Sequence, residues 1–187
     1  MADQLNVLVI CGSLRKKSYN AALCRALPEL APAEMKFTDA PDYEAMPHYN
    51  QDIQDASGFP PTAEDFAAAI RAADGVIIVS PEYNWTIPGT LKNAIDWVSR
   101  MKDQPFVKKP VAIQSCSGGP LGGSRMQYHL RQSMVYLKAF TFGTPEVIVA
   151  NAASKFDQDL KLIDETTRGF VKQQLEGFAK FIRRVRA

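Results

Sequence analysis

Two runs of consecutive apolar residues, LNVLVI at 5–10 and GVIIVS at 75–80, set the limits on what this chain can become. Unbroken apolar runs suit strands covered on both faces, whereas a strand with one wet face would alternate. Weaker strand signals follow at MKFTD (35–39), PVAIQS (110–115) and EVIVA (146–150). Helical patterns stand between them. SYNAALCRAL opens on a Ser18 N-cap, and TAEDFAAAIRAAD opens with Thr62 and Asp65 in capping positions. GTLKNAIDWVSRM, GGSRMQYHLRQSMVYLKAF and the stretch 157–184 complete the helices. Strands separated by helices cannot pair as hairpins, so the alternation predicts a parallel sheet with right-handed crossovers and helices on both faces. In 187 residues that is one domain over 1–187, an α/β three-layer sandwich with strand order 2-1-3-4-5. The segment 39–60, rich in Pro and Asp, reads as a long irregular loop with a role in function or subunit contact.

Composition narrows the function. Hydrophobic residues make up 46% of the chain, enough for one sizeable core. With 22 Lys and Arg against 20 Asp and Glu, the chain lacks the basic field of a protein that binds nucleic acid by neutralising phosphates. The basic ending RRVRA reads as cations on the last turn of a helix, opposing its dipole. The apolar stretch near the N-terminus is too short for a signal-peptide core or a membrane span. Cys11, Cys24 and Cys116 are odd in number and lack C-x-x-C spacing, which argues against a disulfide framework or zinc site and for a reducing cytoplasm. His48 and His129 are far apart, and no metal site is expected.

In a doubly wound sheet ligands bind beyond the carboxyl ends of the strands, where strand order reverses. The unusual residues fall there: CGSLRKKSYN after the first strand, PEYNWTIPG after the third, SCSGGPLGGSR after the fourth. The first loop fails the Walker pattern, since no glycine precedes Lys17-Ser18, and Leu14 breaks G-x-G-x-x-G. It still offers a close turn at Gly12, open N–H groups at a helix start, hydroxyls at Ser13 and Ser18, the Asn20 amide and the Arg15 fork. Taken alone, it reads equally as an ordinary polar helix cap. The second loop puts Glu82, Tyr83, Asn84 and Trp85 between prolines that hold its peptide groups in place. The aromatics there can flank a flat ring or serve as core or interface residues. Glycines of the third loop allow close approach to a ring system, or a plain surface turn, and Ser117 adds a hydroxyl. Cys11 and Cys116 read as small buried hydrophobes, because no histidine lies near them in sequence. One phosphate loop beside a slot for a planar ring, without an acidic ribose reader, fits flavin mononucleotide (FMN) better than bound NAD.

The two motifs G-S-L-R-K-x-S-x-N and P-E-Y-N-x-x-x-P-G-x-L-K-N-A-I-D-W resemble the NAD(P)H-dependent FMN reductases, nearest the quinone and chromate reductase branch, from about Leu5 to Ile182. The resemblance implies a flavodoxin-like fold, one FMN per subunit, and a homodimer or homotetramer. Electrons would pass from NADPH or NADH through FMN to quinones, chromate, azo compounds or free flavin, with no catalytic side chain of the protein's own. By position, Ser13, Arg15, Ser18, Tyr19 and Asn20 would hold the phosphate, and Pro81, Glu82, Tyr83 and Asn84 the isoalloxazine. Ser117, Gly118 and Gly119 would border the ring. Arg125, Tyr128 and Glu146 match a polar network used between subunits. Trp85 stands where relatives often carry tyrosine, and with Arg100 near the mouth it is a candidate for acceptor choice.

Two rivals share the topology. A flavodoxin-type electron carrier would need a charged docking face, which a net charge of +2 with interspersed signs does not supply. A phosphoacceptor signalling domain would need an acidic cluster after the first strand, where the chain reads Ile10-Cys11-Gly12.

Overall fold

The computed structural model describes residues 4–186. Five parallel strands, β1 (Leu5–Cys11), β2 (Met35–Asp39), β3 (Gly75–Ser80), β4 (Pro110–Cys116) and β5 (Phe140–Val149), form one sheet in the order β2-β1-β3-β4-β5. Six α-helices accompany them: α1 (Tyr19–Leu30), α2 (Gln51–Ser57), α3 (Pro61–Ala72), α4 (Gly89–Ser99), α5 (Ser124–Tyr136) and α6 (Glu165–Arg186).

Successive residues of a strand point to opposite faces, and the core divides accordingly. Leu8, Ile10, Val76, Ile78, Val111 and Ile113 pack with Phe66, Leu91, Trp97 and Met126 from α3, α4 and α5. Leu5, Val7, Val9, Ile77 and Val79 pack on the other face with Leu23, Leu27, Leu175, Phe178 and Ile182 from α1 and α6. Consecutive apolar residues are therefore needed in β1 and β3, which have neighbours on both sides in the sheet and a helical layer on each face. The basic final turn is tied down as well. Arg183 pairs with Glu34 at 2.7 Å and Arg186 with Asp74 at 3.2 Å, fixing the end of α6 beside the starts of β2 and β3. Ala187 lies outside the described residues.

The structure corrects the sequence reading in four places. Segment 39–60 is not wholly irregular: α2 lies within it, started by the Asn50 side chain accepting from Asp52 N–H at 2.9 Å and ended at Gly58 with φ 76°. Neither Thr62 nor Asp65 caps α3, which begins at Pro61, a residue whose fixed φ suits the first helical position. Helix α5 stops at Tyr136 because the chain turns left-handed at Lys138 (φ 57°), and Phe140 already belongs to β5. Residues 157–164 precede α6 as a turn, in which Asp157 Oδ1 accepts from the N–H groups of Asp159 and Lys161. Such side-chain acceptors compete with helical bonding.

Among the described residues no helix is long and apolar enough to cross a membrane.

Candidate functional site

β1, β3 and β4 are neighbours, so the turns leaving their carboxyl ends share one rim. Hydrogen bonds hold those turns together. Gly12 N–H donates to Val79 O at 2.8 Å, carrying the β1–β3 ladder past the end of β1. The Asn20 amide donates to Cys116 O at 2.9 Å and accepts from Cys116 N–H at 3.1 Å, binding α1 to the end of β4. The Glu82 carboxylate accepts from Arg125 Nε at 2.8 Å and from Met126 N–H at 3.1 Å, binding the second turn to the first turn of α5. Gly12 has no substitute here, since a Cβ would stand 2.6 Å from Ser80 Cβ.

The first turn is electrically one-sided. Ser18, nearly buried, caps α1 by accepting from Ala21 N–H at 3.0 Å, which leaves its O–H proton free to donate. Arg15, Lys16 and Lys17 are exposed, and α1 carries no acidic residue in its first turn. Among the described residues no hydrogen bond or ion pair engages the side chains of Ser13, Arg15, Lys16 or Lys17, nor the N–H groups of Tyr19 and Asn20. Three cations at the positive end of a helix repel one another and the helix dipole, an arrangement that an anion relieves. Asn20 is only 4% exposed and its amide is spent on Cys116, so only its backbone can reach a ligand; the side-chain role read from the sequence is replaced by a structural one. The Tyr19 ring packs on Phe156 with centroids 5.3 Å apart.

In the second turn Tyr83 N–H donates to Thr86 O at 3.1 Å and Thr86 N–H to Tyr83 O at 3.0 Å. The two residues between, Asn84 (φ 48°) and Trp85 (φ 69°), are both left-handed, as in a type I′ turn. Pro81 is buried, while the rings of Tyr83 (52%) and Trp85 (66%) are exposed. His129 Nδ1 lies 2.9 Å from Thr86 Oγ1 and supports the turn from α5. The Glu82 carboxylate is engaged by α5, so the face this turn offers a ring is its backbone.

The third turn hangs on the end of β5: Ser117 N–H donates to Val149 O, and Gly119 O accepts from Asn151 N–H. Gly118 and Gly119 are exposed, with open space about the Cβ position of Gly118. The glycines the fold requires are Gly122 (φ 59°) and Gly123 (φ 89°), where a Cβ would meet Ile148 at 2.6 Å and Ser115 at 2.9 Å.

Arg100 does not lie near the mouth. It caps the far end of α4, a helix about 16 Å long at 1.5 Å per residue, and its guanidinium sits 5.1 Å from the Tyr49 ring centroid. Tyr128 and Glu146 approach within one chain, Oη to Oε2 at 3.5 Å. Arg131, missed in the sequence, joins them: its Nη2 lies 3.7 Å from Glu146 Oε1, and its Nε is buried without a hydrogen-bond partner. Gln127 was missed too, although its buried amide joins Ser115 Oγ at 2.9 Å to Val147 O at 2.8 Å. Neither residue carried a local signal, because each acts through strands distant in sequence.

A parallel 2-1-3-4-5 sheet with an anion-seeking turn after its first strand defines the flavodoxin-like class. The family model for NADPH-dependent FMN reductase matches residues 5–154. The chain is 47% identical to a quinone reductase of Escherichia coli K12 and 44% identical to an NAD(P)H-dependent FMN reductase of Pseudomonas aeruginosa, each over the full length of both chains. Among solved structures it superimposes with TM-score 0.86 on FerB, a flavoenzyme NAD(P)H:(acceptor) oxidoreductase from Paracoccus denitrificans, at 30% identity, covering 96% of this chain and 98% of that one. The chain belongs to the NADPH-dependent FMN reductase family. It is an oxidoreductase that works with FMN and NAD(P)H.

Proposed function

We propose that the rim holds FMN by its phosphate at the first turn and that the enzyme passes reducing equivalents from NADPH or NADH to a quinone. The observation that carries this reading is the run Arg15, Lys16, Lys17 at a helix start without an acidic partner, beside unengaged N–H groups. That donor set suits a phosphate: the Arg15 fork, the Ser13 and Ser18 hydroxyls, and the backbone of Tyr19 and Asn20. The backbone of Pro81, Glu82, Tyr83 and Asn84 and the exposed third turn at Ser117, Gly118 and Gly119 would border the isoalloxazine. Bound FMN supplies the hydride-accepting and hydride-donating chemistry, so no side chain need act as acid or base. The protein's part is to fix the ring edge with backbone groups locked by the Asn84-Trp85 turn, and to keep that turn in place through Glu82 and Arg125.

Quinone as acceptor is supported by the names of relatives, including a 2-hydroxy-1,4-benzoquinone reductase of Burkholderia at 38% identity. Chromate, azo compounds and free flavin are secondary acceptors in this reading. Exposed Tyr128, Val135 and Tyr136 along α5 support assembly as a homodimer or homotetramer, with Arg125, Tyr128 and Glu146 at the contact. A reducing cytoplasm is the compartment that unpaired cysteines suit.

Steady-state oxidation of NADPH by the FMN-loaded protein, with and without a quinone, tests the proposal. Turnover that rises with quinone concentration is expected. Negligible turnover with FMN bound would instead define an electron carrier.

A further inference from the structure

Away from the three turns, α1, the ends of β1 and β2, and residues 39–43 enclose a cavity of about 720 Å3. Cys11 and Cys24 both line it, and their side chains hydrogen-bond to each other. The remaining wall is apolar at Val9, Pro28 and Phe37 and polar at Arg25, Asp39 and Tyr43, whose hydroxyl donates to Cys11 O. Both thiols are partly accessible and unbridged, whereas Cys116 is buried. Two thiols in direct contact within an open cavity are arranged for chemistry that inert core cysteines do not share.

We propose that Cys11 and Cys24 form an oxidisable dithiol, at which a hydroperoxide converts the pair into an intramolecular disulfide. The environment divides the roles. The Cys24 hydrogen bond, with lesser help from the Ser13 backbone and Arg25, lowers Cys11 to about 7 against the opposing pull of burial and Asp39. Its own bond to Cys11, followed by burial, raises Cys24. Cys11 is therefore the thiolate that attacks the peroxide oxygen: the O–O bond breaks, a sulfenic acid forms on Cys11, and the leaving oxygen takes a proton and departs as water. Cys24 sulfur then attacks the Cys11 sulfur, the S–O bond breaks, and the Cys24 proton leaves with the hydroxyl as a second water. Two thiols are oxidised and one peroxide is reduced. The sequence reading made Cys11 inert for want of a nearby histidine; here a second thiol, one helix away, supplies the activating contact.

The test uses the FMN-loaded protein, exposed to hydrogen peroxide or kept in dithiothreitol, then denatured in N-ethylmaleimide and digested with trypsin. Cleavage places Cys11 in peptide 1–15 and Cys24 in peptide 18–25. After peroxide the two peptides should appear joined and lighter by two hydrogens than their sum. Dithiothreitol should separate them, while Cys116, its thiol pushed up to about 12 by burial, stays alkylated throughout as an internal control. In Cys24→Ser, Cys11 should stop at the sulfenic acid and be trapped by dimedone. Should that variant fail to fold, the wild-type digest decides alone. Full alkylation of both thiols after peroxide, or a bridge found only between separate molecules, overturns the proposal.

Discussion

The guanidinium carbon of Arg125 lies 4.0 Å from the ring centroid of Trp85, and the same guanidinium holds Glu82 at 2.8 Å. One cation from α5 thus grips both ends of the strained part of the second turn. A bulky residue in the left-handed region costs about 1–2 kcal/mol. A cation stacked on an exposed indole contributes about 0.5–1 kcal/mol in return.

The cost of that conformation is testable by substitution. Trp85→Ala keeps a Cβ at φ 69° and loses the stacking, while Trp85→Gly loses the stacking and relieves the backbone. The glycine variant should be more stable than the alanine variant by about 1 kcal/mol in urea unfolding. Equal stability, or the reverse order, would show that the turn is unstrained.

Arg15 is exposed and engaged by nothing among the described residues, so its removal should leave the fold untouched. One charge-assisted bond of about 1.5–3 kcal/mol corresponds to roughly a ten- to hundred-fold weaker FMN affinity in Arg15→Ala. Fluorescence titration of the apoprotein with FMN reads it directly. Unchanged affinity would make Arg15 a surface cation.

Asn20 should behave in the opposite way, as a structural residue first. Asn20→Ala strands the N–H and C=O of Cys116 in a buried place, at a cost of about 1–3 kcal/mol. Unfolding free energy should drop by that amount. A variant as stable as the parent would mean that the α1–β4 tie is dispensable.

The pairing of Glu34 with Arg183 has a signature in acid. The hydrogen bond from Arg183 holds the Glu34 carboxyl below its usual range. Its folded value is the lower one, so the unfolded chain binds the proton first as pH falls. The contribution is full above the ordinary carboxylate range and is lost as pH drops through the lowered value. In Arg183→Ala the slope of stability against pH in that acid window should be shallower. An identical slope would place Glu34 outside the acid limb.

Much of this molecule was legible in local patterns. The runs LNVLVI and GVIIVS announced strands covered on both faces because a buried strand must be apolar at every position. Ser18 announced the start of α1 because a cap acts within three residues. Elements whose ends are set from afar were misread. β5 begins at Phe140, hidden behind Gly143, Thr144 and Pro145, since pairing with β4 and packing on α6 define it more than its own residues do.

The order of residues therefore determined the layers, the parallel sheet and the cluster of cations that faces an anion, because periodicity, capping and charge operate over a few neighbours. Only the folded chain decided that Asn20 and Glu82 serve neighbouring elements, that Arg100 stands at the wrong end of its helix, and that Cys11 meets Cys24. Those outcomes depend on which groups the sheet and helices bring within hydrogen-bond reach, a distance that no spacing along the chain encodes.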